Sequence, residues 1–140
     1  PLPKYSHHSY PDGFLHTSNE DMAMYLTEMI KGATGRGSLL SDANYKLLFE
    51  RQSPSNLELG EGEVHAVLWD LHSNGRIEHS GADPGVLSFI SFDPIRETGY
   101  FIMTNINDGG LGSDLGVNGD ETFEQLLKIL ELVSEFEGKV

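Results

Sequence analysis

Two stretches in the first third of the chain carry apolar residues at helical spacing. From Asp21 onward, apolar side chains recur every three or four residues, and Ser18 precedes them as an N-cap with an acidic residue three positions later. This pattern predicts a helix that begins near Ser18 and stops near Gly32. A second, shorter helix is predicted from Ser41, a favoured N-cap residue, to about Arg51.

The hydrophobic period changes in the middle of the chain, where four runs predict strands. The runs are residues 64–71, 76–80, 86–92 and 100–104. Between the first two, Asn74-Gly75 is the preferred sequence of a type I′ hairpin, because both residues tolerate positive φ. A turn from Pro94 to Gly99 is predicted between the last two runs. Three of the four runs are apolar on both alternating faces, which indicates a sheet that is covered on both sides.

A last amphipathic helix is predicted after a glycine-rich loop at residues 107–119, with Asp120 as its cap. Its apolar stripe consists of Phe123, Leu126, Leu127, Leu130, Val133 and Phe136. The pattern predicts an α+β fold, with an antiparallel sheet of about four strands flanked by two helices on its N-terminal side and one C-terminal helix. The predicted single domain, residues 1–140, consists of a lead-in (1–17), a helical segment (18–52), a sheet (63–105) and the C-terminal helix (120–137).

Composition narrows the classes of partner. The formal net charge is −13, and because binding to nucleic acid or an anionic membrane depends on basic residues, we expect neither partner. The chain has no cysteine, which removes disulfides, thiol catalysis and cysteine-based zinc sites. No apolar stretch approaches the roughly 20 residues of a membrane span, and no signal peptide is visible, so the sequence leaves the compartment undecided.

Metal and phosphate sites are not predicted either. Three histidines and an aspartate near the N-terminus, His7, His8, His16 and Asp12, lack the i, i+4 presentation of a helical metal site and lie in a proline-broken segment. A solvated loop is the preferred interpretation. The spacing of a calcium loop, the Lys-Ser/Thr of a phosphate loop and the Gly-x-Ser-x-Gly nucleophile elbow are all absent from the sequence. We therefore predict no cofactor.

The sharpest motif is His79-Ser80-Gly81, which is followed by a bend at Gly85 and by two apolar runs that end at Asn105. Its order and spacing resemble the last β-hairpin of the active-site sheet in penicillin-recognising serine hydrolases, which include class C β-lactamases, DD-peptidases and related esterases. The same resemblance extends over Tyr10-Pro-Asp-Gly, Leu15-His-Thr-Ser, Glu20-Asp21, Asp93-Pro94, Gly99 and Thr104-Asn105.

The resemblance implies a role for each residue of the motif. In that superfamily a Lys/His-Ser/Thr-Gly triplet forms one wall of the catalytic cleft. His79 would interact with the substrate carboxylate and with the proton relay of the nucleophile, and the backbone N–H of Ala82 would form half of an oxyanion hole. Ser80 and Gly81 would be small because substrate lies along the strand edge. The implied substrate-binding positions are Trp69, Asp83 and Asn105. Without the family context, a surface hairpin with a titratable histidine and a glycine bulge explains the same residues.

The nucleophile of that superfamily is missing from these 140 residues. No lysine has a serine three residues before it, and no tyrosine or serine has an asparagine two residues after it. The first hypothesis is therefore a truncated or fragmentary serine hydrolase that is inactive alone, in keeping with a chain that opens at Pro1 rather than methionine. An exposed last strand would then predict association with the missing N-terminal part of the fold, or self-association as a homo-oligomer.

Two alternatives remain open from the sequence. One is a stand-alone ligand-binding or protein-interaction module derived from the same fold, which would hold a small ester, amide or peptide around His79, Trp69 and Ala82. The other is an unrelated α+β protein. The residues do not distinguish a β-lactam, a D-amino-acid peptide and a simple ester as the substrate.

Overall fold

The computed structural model describes residues 13, 15–52, 64–83, 85–105, 125, 128–133 and 135–136. The helices are α1 (Asn19–Ala33) and α2 (Asp42–Phe49), and the strands are β1 (Val64–His65), β2 (Asp70–Leu71), β3 (Ile77–Asp83), β4 (Val86–Asp93) and β5 (Thr98–Thr104). The described residues after position 120 are also helical. The predicted α+β class is confirmed. The predicted glycine-rich loop at 107–119 and the cap at Asp120 lie outside the described residues.

The five strands form one sheet in the order in which they occur along the chain. β1 pairs antiparallel with β2, and β2 pairs antiparallel with β3 through Asp70 opposite Glu78 and Leu71 opposite Ile77. Because β2 has two residues and β3 has seven, β3 continues past the end of its neighbour. The part of β3 from residue 79 onward therefore lies beyond the register with β2.

The sheet has five strands rather than the expected four because the run at residues 64–71 is not one strand. It bends at Val67 and Leu68, and the N–H of Ala66 donates to the carbonyl of Trp69 at 2.8 Å across the bend. Leu68 has a φ of 62°, in the left-handed region that glycine and asparagine usually occupy. No glycine or proline marks the bend, so hydrophobic periodicity alone gave the wrong prediction here.

The β2–β3 turn falls where the sequence indicated, but it is not of type I′. Gly75 has a φ of 87°, whereas among the described non-glycine residues positive φ occurs only at Leu68 and Glu97, so Asn74 does not have it. The N–H of His72 donates to the carbonyl of Arg76 at 3.0 Å, and the N–H of Gly75 donates back to the carbonyl of His72 at 2.9 Å. These bonds are those of a three-residue loop that ends in a left-handed glycine.

The turn between β4 and β5 shows that Gly99 has a different role from the one predicted. The carboxylate of Asp93 accepts from the N–H groups of Ile95 and Arg96 at 2.8 and 3.1 Å, which organises the turn locally. Gly99 lies inside β5, where a Cβ would come within 2.8 Å of the Cβ of Phe92. The glycine is required by close packing rather than by the turn.

Helix α1 begins as predicted but ends later. The side chain of Ser18 accepts from the N–H of Asp21 at 3.1 Å, which confirms the cap. Gly32, the predicted stop, lies inside the helix. The end is a Schellman motif, in which Arg36 N–H donates to the carbonyl of Lys31 and Gly35, with a φ of 74°, donates to that of Gly32.

Helix α2 is joined to α1 by the buried ring of Tyr45. Ser41 caps α2 as predicted, although the helix ends at Phe49 and not near Arg51. A Cβ on Gly32 would lie 2.2 Å from the Tyr45 ring, so Gly32 is needed to let the two helices approach. The Tyr45 hydroxyl donates to Glu28 of α1 at 2.6 Å.

An aromatic cluster fills the space between the helices and the sheet. Trp69 packs edge-on against Phe92 with a centroid separation of 5.4 Å, and it also contacts Phe49 and Tyr25. The other core members are Leu26, Met29, Tyr45, Ala66, Ile77 and Ile90. Because the core members come from both the helices and the strands, burial of their apolar side chains holds the helices against the sheet.

The described residues belong to two compact units. Residues 17–52, 64–80 and 89–102 form one unit, which contains both helices and the core. Residues 13, 15, 16, 81–83, 85–88 and 103–105, with the helical residues after position 120, belong to the other. Among the helices that the structure describes, none is long and apolar enough to cross a membrane.

Candidate functional site

The His-Ser-Gly motif lies on β3, at the point where this strand leaves the core. Ile77 is buried, whereas His79 and Ser80 are exposed. The change coincides with the end of the β2 register at Glu78. The strand therefore presents an imidazole and a hydroxyl to solvent from a backbone that is still part of the sheet.

Gly81 and Ala82 continue the same strand. Ala82 is exposed and Gly81 is half-buried. A Cβ on Gly81 would lie 2.9 Å from the Oγ of Ser88 on β4, so the strand pair accepts only a hydrogen at this position without movement of Ser88. Gly81 is not among the glycines with positive φ, so it is not the left-handed glycine of a G1 bulge, and the surface-hairpin explanation of the motif stays open.

The three implied substrate-binding positions differ in exposure. Trp69 is only 4% exposed, and its ring is enclosed by the aromatic cluster, so core packing accounts for it and this position adds no support to a substrate role. Asp83 ends β3, and its Oδ2 would lie 3.5 Å from a Cβ on Gly13. Asn105 follows β5 and is exposed. For Asp83 and Asn105 the substrate role stays a prediction.

A partly buried polar cluster lies next to the motif, and sequence reasoning missed it. We call it the Glu78 cluster, and it consists of His72, Arg76, Glu78 and Ser91. The Nε2 of His72 lies 3.0 Å from one carboxylate oxygen of Glu78. The Oγ of Ser91 donates to the other oxygen at 2.7 Å and accepts from Arg76 Nε at 2.7 Å. Arg76 Nε is also 3.3 Å from Glu78.

The Glu78 cluster is well shielded from water. The side chain of Glu78 is 13% exposed and Ser91 is fully buried. The guanidinium of Arg76 also lies over the ring of Tyr100, with its Cζ 5.0 Å from the centroid. The positive charge of Arg76 therefore balances the negative charge of Glu78 inside the cluster.

The signal for this cluster was present in the sequence but weak. Arg76 and Glu78 are two residues apart and so share one face of a strand, and Ser91 is a polar residue inside an apolar run. Each feature alone is common on a surface strand. Only the pairing of β3 with β4 shows that the three side chains meet.

Other titratable groups do not extend the site. The Nδ1 of exposed His65 lies 2.5 Å from Asp70 on the neighbouring strand. In the part of the chain that the structure describes, no group of three or more histidine, aspartate or glutamate side chains is arranged to hold a metal ion. His16 is described and exposed, whereas His7, His8 and Asp12 lie outside the described residues.

Helix α1 carries an open groove on one face. It is lined by Ala23, Met24, Thr27, Glu28 and Lys31. All five residues come from one face of one helix, and none is a residue that the sequence predicted to be functional. The groove has no convergent polar groups from a second element and therefore lacks the features of a binding site.

Comparisons with known proteins do not identify the chain. No protein-family model, curated protein or solved structure matches it. The resemblance to penicillin-recognising hydrolases therefore stays a prediction that depends on the motif residues themselves.

Proposed function

We propose that this chain supplies one wall of the substrate cleft of a serine hydrolase of the β-lactamase, DD-peptidase and esterase type. The wall is the segment of β3 that carries His79, Ser80, Gly81 and Ala82. The observation that carries this proposal is the exposed edge of β3: His79 and Ser80 project from a sheet strand beyond the end of β2.

The chemistry of these residues fits a carbonyl or carboxylate ligand. An exposed imidazole and hydroxyl offer hydrogen bonds to a carboxylate, and a strand edge offers backbone N–H groups to an extended substrate. A backbone N–H that is held in a sheet is preorganised, which is the property that an oxyanion-hole donor needs. Ser88 lies so close to Gly81 that a larger side chain would clash there, so the strand has no side chain at position 81 to block a ligand.

These residues alone are not expected to catalyse hydrolysis. The Ser-x-x-Lys motif is absent from the 140 residues, and binding and oxyanion groups without a nucleophile leave little residual activity. We therefore expect the chain to bind a ligand of this class without turnover. A chromogenic cephalosporin and a p-nitrophenyl ester should both remain intact in its presence.

Binding is tested by NMR titration of the labelled chain with N-acetyl-D-alanyl-D-alanine and with a hydrolysed penicillin. We expect the amide signals of residues 79–82 to shift, and His79→Ala to weaken binding by about tenfold, the usual scale for one hydrogen bond to a charged group. His65→Ala is the matched control, because it removes another exposed strand histidine.

Three outcomes would count against the proposal. The first is that neither probe shifts the signals of residues 79–82. The second is that His65→Ala weakens binding as much as His79→Ala does. The third is that turnover occurs and is lost on substitution of His79 or Ser80. The last result would mean that the chain has a nucleophile of its own and belongs to another mechanistic class.

We further propose that the chain associates, either with a polypeptide that completes the cleft or with a second copy of itself. Large apolar side chains are exposed on the unit that contains the core, among them Met24 at 65% and Leu47 at 53%. Ile95 in the β4–β5 turn is 88% exposed. Exposed apolar side chains mark a partner surface where they form one contiguous patch, so the proposal requires these residues to lie on one surface.

A further inference from the structure

The Glu78 cluster joins separate segments of the chain at the base of the exposed part of β3. His72 and Arg76 flank the β2–β3 turn, and Ser91 lies on β4. Glu78 is the residue of β3 that contacts all of them. One carboxylate thus fixes the turn and β4 to β3.

A contribution to stability is one explanation of this arrangement, and a fixed geometry is another. Placing charged groups where water is largely excluded has a desolvation cost, and well-packed apolar residues at the same positions are often as stabilising. A network of directional bonds provides a fixed geometry instead, because each partner restricts the position of the others. The cluster can therefore serve to fix the position of neighbouring residues of the strand.

The location of Glu78 indicates which residues the cluster holds in place. Glu78 is opposite Asp70 and is the last residue of β3 in the register with β2. The next two residues, His79 and Ser80, are exposed and have no β2 residue opposite them among the described pairs. Their orientation depends on how firmly the strand is held at Glu78 and by β4.

We propose that Glu78 is a positioning residue, which bridges the β2–β3 turn and Ser91 so that His79 and Ser80 are presented to a ligand in one orientation. The ligand part of this inference rests on the proposed function. The orientation part does not, because it concerns the free protein.

The test uses the full chain with Glu78→Gln, which keeps the shape of the side chain but removes its charge. Ser91→Ala is a second variant that leaves every charge in place and removes one bridging hydroxyl. Glu50→Gln, at an exposed glutamate that follows α2, is the matched control. For each variant we measure the amide signals and hydrogen exchange of residues 79 and 80, with Thr27 of α1 as an internal reference, and the Kd for N-acetyl-D-alanyl-D-alanine.

We expect both cluster variants to shift the signals of residues 79 and 80 and to speed their exchange, while Thr27 and the control are unchanged. The Kd should rise by about tenfold, because small misplacement of binding groups has large effects. A role in stability only would lower the melting temperature and leave the exchange of these two residues, their signals in Ser91→Ala and the Kd as they are in the folded protein, and that result would overturn the inference.

The two proposals fail in different ways. If the native chain binds the probe and both variants bind it equally well, with unchanged exchange at residues 79 and 80 and unchanged signals there in Ser91→Ala, the positioning role is wrong and the proposed function stands. If the variants move these signals but the native chain does not bind either probe, the positioning role is supported and the proposed function is wrong. Should Glu78→Gln fail to fold, Ser91→Ala decides alone.

Discussion

Glu28 shows how one side chain can organise a connection between two helices. Its carboxylate accepts from the hydroxyl of Tyr45 and from the N–H groups of Ser38 and Leu39. These hydrogen bonds, that of Tyr45 first, lower the pKa of Glu28 to about 2, because each of them favours the charged form. Burial raises the pKa of Tyr45, and the bond to Glu28 raises it further, since both favour the neutral phenol.

The lowered pKa of Glu28 predicts a pH dependence of stability. A carboxyl group with a folded-state pKa below its ordinary value of 4.5 stabilises the fold above that value, and the contribution is lost as the pH falls through about 2. We expect Glu28→Gln to lower the melting temperature at neutral pH, and the difference from the native chain to shrink below about pH 4.5. Melting curves followed by circular dichroism over this range measure it.

The control for this experiment is Glu50→Gln, because Glu50 is exposed and its removal changes the total charge by the same amount. The other carboxyl groups titrate in every variant and cancel in the comparison. If the curves of Glu28→Gln and the native chain stay parallel down to about pH 2, the hydrogen bonds to Glu28 do not stabilise the charged form as the structure indicates.

At the scale of elements, the bend between β1 and β2 is the most unusual connection. Leu68 has left-handed backbone geometry, and its side chain is 78% exposed. A leucine in this conformation has an energetic cost that asparagine or glycine largely avoids. Its exposed side chain offsets little of that cost by burial.

This geometry predicts that an apolar-to-polar substitution stabilises the protein. We expect Leu68→Asn to raise the free energy of unfolding by ~1 kcal/mol, because asparagine adopts positive φ more readily than leucine. Urea denaturation measures the change. Leu39→Asn is the control: Leu39 is also an exposed leucine but has no positive φ, so the effect should stay within about 0.5 kcal/mol. A loss of stability in Leu68→Asn would show that the leucine side chain supports the bend.

At the scale of the whole molecule, the charge of −13 and the exposed apolar side chains have opposite effects on association. Like charges on two copies repel, and this repulsion is screened by salt. Burial of apolar surface favours association and is not weakened in the same way. Salt therefore separates the two contributions.

We expect sedimentation velocity to show species larger than the 15.4 kDa chain, in a proportion that increases with protein concentration and with salt. Ile95→Asn, which removes the most exposed of the apolar side chains named above, should reduce this proportion. A monomer at every concentration and salt level would contradict self-association. In that case only association with a polypeptide that completes the cleft would remain of the proposal.

The sequence predicted a structural feature correctly where that feature depends on residues that are close together in the chain. The serine caps of both helices, the α+β class and the position of the β2–β3 turn were confirmed because each depends on neighbouring residues. The bend at Leu68 was missed because a turn without glycine or proline has no compositional marker. The end of α1 was predicted to within one residue, but the role of Gly32 was not: the ring of Tyr45 requires this glycine, and Gly35 provides the helix stop.

The sequence by itself determined the element types, the serine caps of α1 and α2 and the motif at residues 79–81, since these follow from side-chain chemistry over a few positions. Tertiary structure alone decided that Gly99 and Gly32 are packing residues, that Trp69 belongs to the core, and that Glu78 meets Ser91. The physical reason is that close approach and burial depend on residues that are distant in the chain and become neighbours only when the sheet and helices assemble.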